Sequence, residues 1–350
     1  MRYKYKTEPT PYQKEFLERT KTRRAWGCFW EAGCGKTKPI LDNIAFLFEK
    51  GGIDGVLVVA PNGVHRNWIN EEIPKHMPDR VVAKMHMMYY ESKRTKAIDE
   101  ECKAILKYDG LALVAMSYNS FMSKKGKKFA RKFLEKRQVF YVLDESHKIK
   151  APGAKRTISI LASGKYAKYR RVLTGTPVEE GPFGAYAQVK FLEPTFWMDH
   201  DLASYNAFKQ YFGVWKKAEG RQMGRFDDGD LVEYKNLATL RQILPTISDR
   251  LTFKEAGLHL PKRMWDKRFF EMTDVQRRVY VELRDTYITE IHDGTILDID
   301  MVMVRMGRWR PASLKVSRSL IVGRICRKVA RFLYSTRSPS SNRPICRPSA

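Results

Sequence analysis

A five-residue cluster, Gly33-Cys34-Gly35-Lys36-Thr37, sets the tightest limit on this chain. It follows the apolar run Ala25 to Trp30 and precedes a stretch with helical spacing, Pro39 to Lys50. Glycines between a strand and a helix let backbone N–H groups close on phosphate oxygens, and the helix N-terminus adds a favourable dipole. In that reading Lys36 bridges the β- and γ-phosphates of ATP, and the Thr37 hydroxyl ligates Mg²⁺. The complete phosphate-loop pattern asks for glycine where Trp30 stands. A glycine-rich turn with a chance Lys-Thr is therefore the alternative reading of the loop alone.

A second cluster, Tyr141-Val142-Leu143-Asp144-Glu145-Ser146-His147, ends an apolar strand in two carboxylates. Ligands of open α/β sheets bind at the carboxyl edge of the strands. There Asp144 would hold Mg²⁺ and Glu145 would polarise an attacking water. Many strands end in solvated acids, but a phosphate loop and an Asp-Glu pair in one chain are two halves of a single Mg·ATP site. Leu173-Thr174-Gly175-Thr176-Pro177 stands at another strand end. It reads either as a plain turn or as a hydroxyl relay between the γ-phosphate and nucleic acid. The amide of Gln13, in Pro11-Tyr12-Gln13, offers the donor and acceptor that suit an adenine edge.

Strand candidates are Ala25 to Trp30, Val56 to Ala60, Leu111 to Met116, Val139 to Leu143 and Arg171 to Leu173. Helix candidates lie between them: Pro39 to Lys50, Asn67 to His76, Arg94 to Lys107 and Lys127 to Glu135. Alternating short apolar strands and helices predict an α/β fold around a parallel sheet. At 350 residues the chain is long for one core, so two domains are expected. From 195 to 250 aromatic residues crowd together and a polar, glycine-rich stretch follows, which reads as a helical insertion with an exposed loop. Beyond it come an extended segment, Met264 to Phe270, and a helix around Asp274 to His292.

The net charge of +26 makes a polyanion the first partner to consider, with a solvated basic surface as the alternative. Residues 301–350 hold ten Arg, two Lys and no Asp or Glu. Five scattered cysteines form neither a disulfide framework nor a zinc motif, so a reducing cytoplasm is the default. No run of eighteen apolar residues occurs, so no membrane association is expected.

The order Gln13, Lys36-Thr37, Asp144-Glu145, Thr174-Gly175-Thr176 resembles the first motor lobe of superfamily-two helicases. Within that group, Glu31 to Thr37 resembles the DEMGLGKT loop of the Swi/Snf family of DNA-translocating ATPases, which does not require glycine at position 30. Val58-Val59-Ala60-Pro61 with Asn67-Trp68 resembles that family's motif Ia, Asp144 to Lys150 its DEAH-like motif, and Leu173 to Pro177 its LTGTP motif. Arg250-Leu251-Thr252 with Leu260-Pro261-Lys262 resembles the link between two lobes. Met272-Thr273-Asp274-Val275-Gln276 with Tyr280 resembles the start of the second.

The resemblance implies a RecA-like P-loop lobe at 1–194, an insertion packed on it at 195–250, a link and the beginning of a second lobe at 251–305, and a basic tail at 306–350. Three readings of that tail stand: translation in a shifted frame, a nucleic-acid arm, or an amphipathic anchor. Catalysis is assigned to Lys36, Asp144 and Glu145, and ATP binding to Gln13, Gly33, Cys34, Gly35, Lys36 and Thr37. Mg²⁺ falls to Thr37 and Asp144, and coupling to His147, Thr174, Gly175 and Thr176. Duplex contacts fall to Pro61, Arg66, Asn67, Trp68, Ser117, Tyr118 and Lys148.

The implied function is an ATP-dependent translocase on double-stranded DNA, in a bacterial or viral cytoplasm or a eukaryotic nucleus. One alternative is an ATP- and DNA-binding lobe that hydrolyses slowly until a protein partner supplies the second lobe, whose later motifs are not found. The other is a strand-separating helicase or a restriction-type motor subunit.

Overall fold

A computed structural model of the chain describes residues 3–92, 95–176, 181–216 and 230–258, together with 274, 277, 278, 281, 282, 288–290 and 296–298. Thus Pro177, Leu260 to Lys262, the extended segment Met264 to Phe270 and the whole of 306–350 lie outside the described residues, as does most of the stretch 219–230. The chain divides into two compact units, Met1–Pro261 and Lys262–Ala350.

In the first unit α1 (Pro11–Thr20) leads into β1 (Ala25–Trp30), and α2 (Thr37–Glu49) into β2 (Gly55–Ala60). A broken helical segment follows: α3 (Val64–Asn67), a π turn (Trp68–Glu72) and α4 (Ile73–His76), then the single turn α5 (Asp79–Val82). Next come β3 (Met85–Tyr90), α6 (Lys96–Lys107), β4 (Leu111–Ser117), α7 (Tyr118–Met122), α8 (Lys124–Lys136) and β5 (Val139–Asp144). After a 3₁₀ turn (Ser146–Ile149) the chain forms α9 (Lys155–Gly164), β6 (Tyr169–Leu173), α10 (Phe183–Leu192) and α11 (Tyr205–Phe212). The unit ends with β7 (Gly213–Lys216), β8 (Asp230–Tyr234), α12 (Leu237–Ile243) and β9 (Ser248–Leu251).

Seven strands form one parallel sheet in the order β3-β4-β2-β5-β6-β1-β9. Strands β2, β4 and β5 are buried along their whole length, which is why they read as unbroken apolar runs. Alternate side chains feed two cores. Leu57, Val59, Val114, Tyr141 and Leu143 point into one and Val56, Val58, Leu113, Phe140 and Val142 into the other. This is the expected α/β architecture, and each of the five expected strands is present.

Two strands carried no such signal. The edge strand β3 is only half-buried and mixes His, Met and Tyr. The other edge, β9, is the four residues Ser-Asp-Arg-Leu, fixed by its pairing with β1 and by the Trp26 indole, which donates to Asp249 at 3.0 Å. The sheet therefore continues past residue 194, and the stretch read as an inter-lobe link from Arg250 begins inside a strand. The region 195–250 carries helices α11 and α12, but also the antiparallel hairpin β7–β8, with a bulge between Val214 and Trp215.

In the second unit Asp274, Arg277, Arg278, Val281 and Glu282 are helical. The helix expected to reach His292 does not, because β10 (Ile288–Glu290) pairs antiparallel with β11 (Ile296–Asp298). Among the described residues no helix is long and apolar enough to cross a membrane.

Candidate active site

The carboxyl ends of β1, β5 and β6 bring the three sequence clusters together. The loop from β1 to α2 turns through two left-handed glycines, Gly33 at φ 96° and Gly35 at φ 69°. Both are exposed, whereas the Cys34 side chain between them is buried and its thiol is pushed up by burial. Gly35 is also confined by a neighbour: a Cβ there would lie 2.7 Å from Nε2 of Gln13. The Lys36 ammonium donates to the carbonyls of Trp30 at 3.0 Å and Glu31 at 3.3 Å. Thr37 opens α2, whose first turn holds no acid to compete with an anion.

Gln13 reaches this loop. Its Nε2 donates to the Gly35 carbonyl at 3.1 Å, and its Oε1 accepts from Thr10 N at 2.9 Å, closing a capping box on α1. The amide expected at an adenine edge is engaged with α1 and the phosphate loop.

Asp144, the last residue of β5, is buried, and both its carboxylate oxygens are held. Oδ1 accepts from Glu145 N and Oδ2 from the Trp68 indole, each at 2.9 Å. Burial pushes its carboxyl up, while the Trp68 hydrogen bond and the Lys36 charge oppose that shift. Glu145 has left-handed backbone angles, φ 49° and ψ 52°, an uncommon state for a non-glycine residue and one enriched at functional sites. A hydrogen bond with His147 holds its carboxyl below the usual range, with the Lys36 charge acting in the same direction. The Lys36 charge thus acts on Asp144, 108 residues away in sequence, at one sheet edge.

Nδ1 of His147 lies 3.2 Å from the Glu145 carboxylate and 3.3 Å from Thr174 Oγ1. One ring nitrogen carries at most one proton, so it donates to Glu145 or accepts from Thr174, not both. Thr174 Oγ1 also accepts from Thr176 N at 3.2 Å, closing the turn around Gly175. That turn packs on the phosphate loop so closely that a Cβ on Gly175 would stand 3.0 Å from Ala32 N. A continuous path of contacts therefore runs from the phosphate loop through Gly175, Thr174, His147 and Glu145 to Asp144.

The donor set fits Mg·ATP. Exposed left-handed glycines at a helix start suit phosphate, and a hydroxyl with a carboxylate gives hard oxygen ligands, the usual protein share of a nucleotide-bound Mg²⁺. Among the described residues no group of three or more His, Cys, Asp or Glu could hold a metal by itself.

The residues expected to contact a duplex divide. Arg66, Asn67 and Lys148 are exposed, Arg66 in an ion pair with Glu91, and Pro61 is half-buried at the end of β2. Trp68, Ser117 and Tyr118, expected at the duplex, have buried side chains whose polar atoms are engaged inside the protein. Trp68 donates to Asp144. Ser117 Oγ accepts from Ser120 N at 3.0 Å to cap α7, and the Tyr118 hydroxyl donates to the Asp144 carbonyl at 2.9 Å. Sequence reasoning picked out Trp68 but not its partner, since nothing local relates it to Asp144. It missed Gln188, whose Oε1 accepts from Ser146 Oγ at 2.5 Å and so ties the turn after Glu145 to α10. It also missed Phe253, whose N–H donates to a Glu31 carboxylate oxygen at 2.7 Å.

Known proteins resemble this chain in sequence and in fold. The chromatin-remodeling ATPase INO80 of Aspergillus terreus is 26% identical over 261 residues, covering 73% of this chain and 14% of that protein. The same protein of Aspergillus niger matches with the same identity and coverage. The chain thus spans about a seventh of the length of these curated relatives. Among solved structures, the Sulfolobus solfataricus SWI2/SNF2 ATPase core in complex with dsDNA aligns over 95% of this chain and 66% of that one. Its TM-score is 0.52 at 20% sequence identity, a likeness of fold. The model of the SNF2-related domain matches residues 16–317, most of the chain, which therefore belongs to the SNF2-related, Swi/Snf-type family of helicase superfamily two.

Proposed function

We propose that the chain is the nucleotide-binding lobe of an ATP-driven motor that acts on double-stranded DNA. The observation that carries the proposal is that the Lys36 loop and the Asp144-Glu145 pair leave the carboxyl ends of β1 and β5, the two strands flanking β6, with Glu145 linked through His147 to Thr174 at the end of β6. Lys36 and the loop glycines would hold the triphosphate, and Thr37 and Asp144 the Mg²⁺, which when bound neutralises charge on the phosphates. Glu145, kept ionised beside His147, orients and polarises the attacking water. His147 and Thr174 then sense the state of that carboxylate. Exposed Arg66, Asn67 and Lys148 supply contacts to the phosphate backbone, which hold a duplex without reading its sequence.

The experiment is ATP turnover with and without duplex DNA. Lys36→Ala is expected to abolish nucleotide binding. Glu145→Gln is expected to retain it and lower turnover by about 10² to 10⁴-fold. Undiminished turnover in both variants would refute the site.

A second reading has its own support. Among the described residues the cations that lower the Glu145 carboxyl are Lys36, His147 and Lys148, none of them a guanidinium, whereas phosphoryl transfer commonly draws on an arginine. On that reading the chain binds ATP and duplex but turns over only when a partner supplies the arginine. Binding without turnover, rescued by a second-lobe fragment added in trans, distinguishes it. Strand displacement tests the helicase reading.

A further inference from the structure

Asp144 is held from two directions, and one of them is a helix that also faces solvent. Trp68, 1% exposed, is the first residue of the π turn, and the Ile73 N–H donates to its carbonyl in the i to i+5 bond that defines such a turn. A π turn inside a helix is frequent at functional sites because it redirects one side chain without ending the helix. Here it sends the indole inward to Asp144 Oδ2 while Arg66, Asn67 and Asn70 on the same segment stay exposed. The segment is pinned at both ends. His65 N donates to the Pro61 carbonyl at 3.3 Å, and His76 Nδ1 lies 2.7 Å from the Thr7 hydroxyl. Asp144 is secured from its other side by Glu145 N and, through its carbonyl, by the Tyr118 hydroxyl. The indole N–H and the carboxylate oxygen are both buried, so the two groups move together or leave a costly unpaired site.

We propose that Trp68 is a positioning residue that makes the Asp144 carboxylate answer to what binds the exposed side of its helix. A duplex engaging Arg66 and Asn67 shifts the segment 64–72, and the indole carries that shift to the Asp144 carboxylate, which would help hold magnesium. The inference rests on the function proposed above, and it assigns Trp68 to communication rather than to duplex contact.

The test is a binding cycle that needs no turnover. Affinity for a fluorescent ATP analogue with Mg²⁺ is measured with and without saturating random-sequence duplex, for wild type and for Trp68→Phe, which keeps an aromatic ring but loses the N–H. Wild type is expected to show coupling of about tenfold. In Trp68→Phe the factor is expected to fall towards one, whatever happens to either separate affinity. Omitting Mg²⁺ from the wild type is expected to do the same. Should Trp68→Phe fail to fold, 3-benzothienylalanine at position 68, isosteric and without the N–H, takes its place.

A wild-type coupling factor retained in the variant overturns the proposal, as does a wild-type factor of one. Loss of nucleotide binding by a folded variant at every duplex concentration also overturns it, since Trp68 would then build the site rather than report to it. Failure of the wild type to bind nucleotide or duplex is a separate result and refutes the proposed function itself.

Discussion

At the level of single residues, the phosphate loop is shaped as much by Gln13 as by its own glycines. Gly35→Ala places a side chain at φ 69° and 2.7 Å from the Gln13 amide. Loss of stability of about 1–2 kcal/mol is expected from the left-handed backbone alone. Nucleotide affinity should fall with it, and adding Gln13→Ala should recover part of the stability but not the affinity; urea midpoints and ligand titration measure the two. His76 gives a pH signature. Burial and the Lys38 and Lys75 charges push its pKa down to about 4 from 6.5. The unfolded chain therefore binds more protons between those values, so stability rises with pH through that window and is lost as pH falls through it. The urea-midpoint gap between wild type and His76→Asn should narrow from pH 7 to pH 4; a gap independent of pH contradicts this account. These positions also show what a sequence discloses. The Gly-Lys-Thr cluster was legible because its residues act as neighbours. The roles of Gln13, Trp68 and His76 were not, since each depends on a partner brought up by the fold.

At the level of elements, the sheet is joined to α1 by one buried cation. Arg171 in β6 has a fully buried side chain and donates to the carbonyls of Thr20 and Arg23, at the end of α1 and just beyond it, and to Asn43 Oδ1, at 3.0, 2.9 and 2.8 Å. Its guanidinium also lies 5.0 Å from the Phe140 ring. Burial pushes its pKa down to about 9, which leaves it charged at neutral pH. Arg171→Met would strand several buried acceptors, and a cost of about 3 kcal/mol or more is expected. Arg171→Lys should recover only part of it, because an ammonium lacks the planar fork. A wild-type denaturation midpoint in Arg171→Met would show the contacts to be dispensable. Strand burial decides which elements a sequence reveals. β2, β4 and β5 announce themselves because both faces are apolar, whereas β9 is placed by pairing and by the Trp26–Asp249 bond, neither of which the run Ser-Asp-Arg-Leu encodes locally.

For the molecule as a whole, charge is the property that needs no fold to be read. The net +26 is carried on surfaces such as the outer face of α8, where Lys124, Lys125, Lys127, Lys128, Lys132 and Lys136 are all exposed. If this charge meets phosphates, duplex affinity should fall linearly on a log–log plot against salt, with a similar slope for unrelated sequences. Anisotropy titrations at several salt concentrations measure it, and affinity insensitive to salt would disconnect the charge from DNA.

One last contact ties the downstream chain to the chemistry. On leaving β9 the backbone is clasped twice by Glu31: its N–H donates to the Leu251 carbonyl at 2.9 Å, and its carboxylate accepts from Phe253 N at 2.7 Å. The carbonyl of that same Glu31 receives the Lys36 ammonium. Glu31 thus fastens the backbone leaving β9 and the lysine of the glycine loop to one peptide, so displacement of either is resisted by the other.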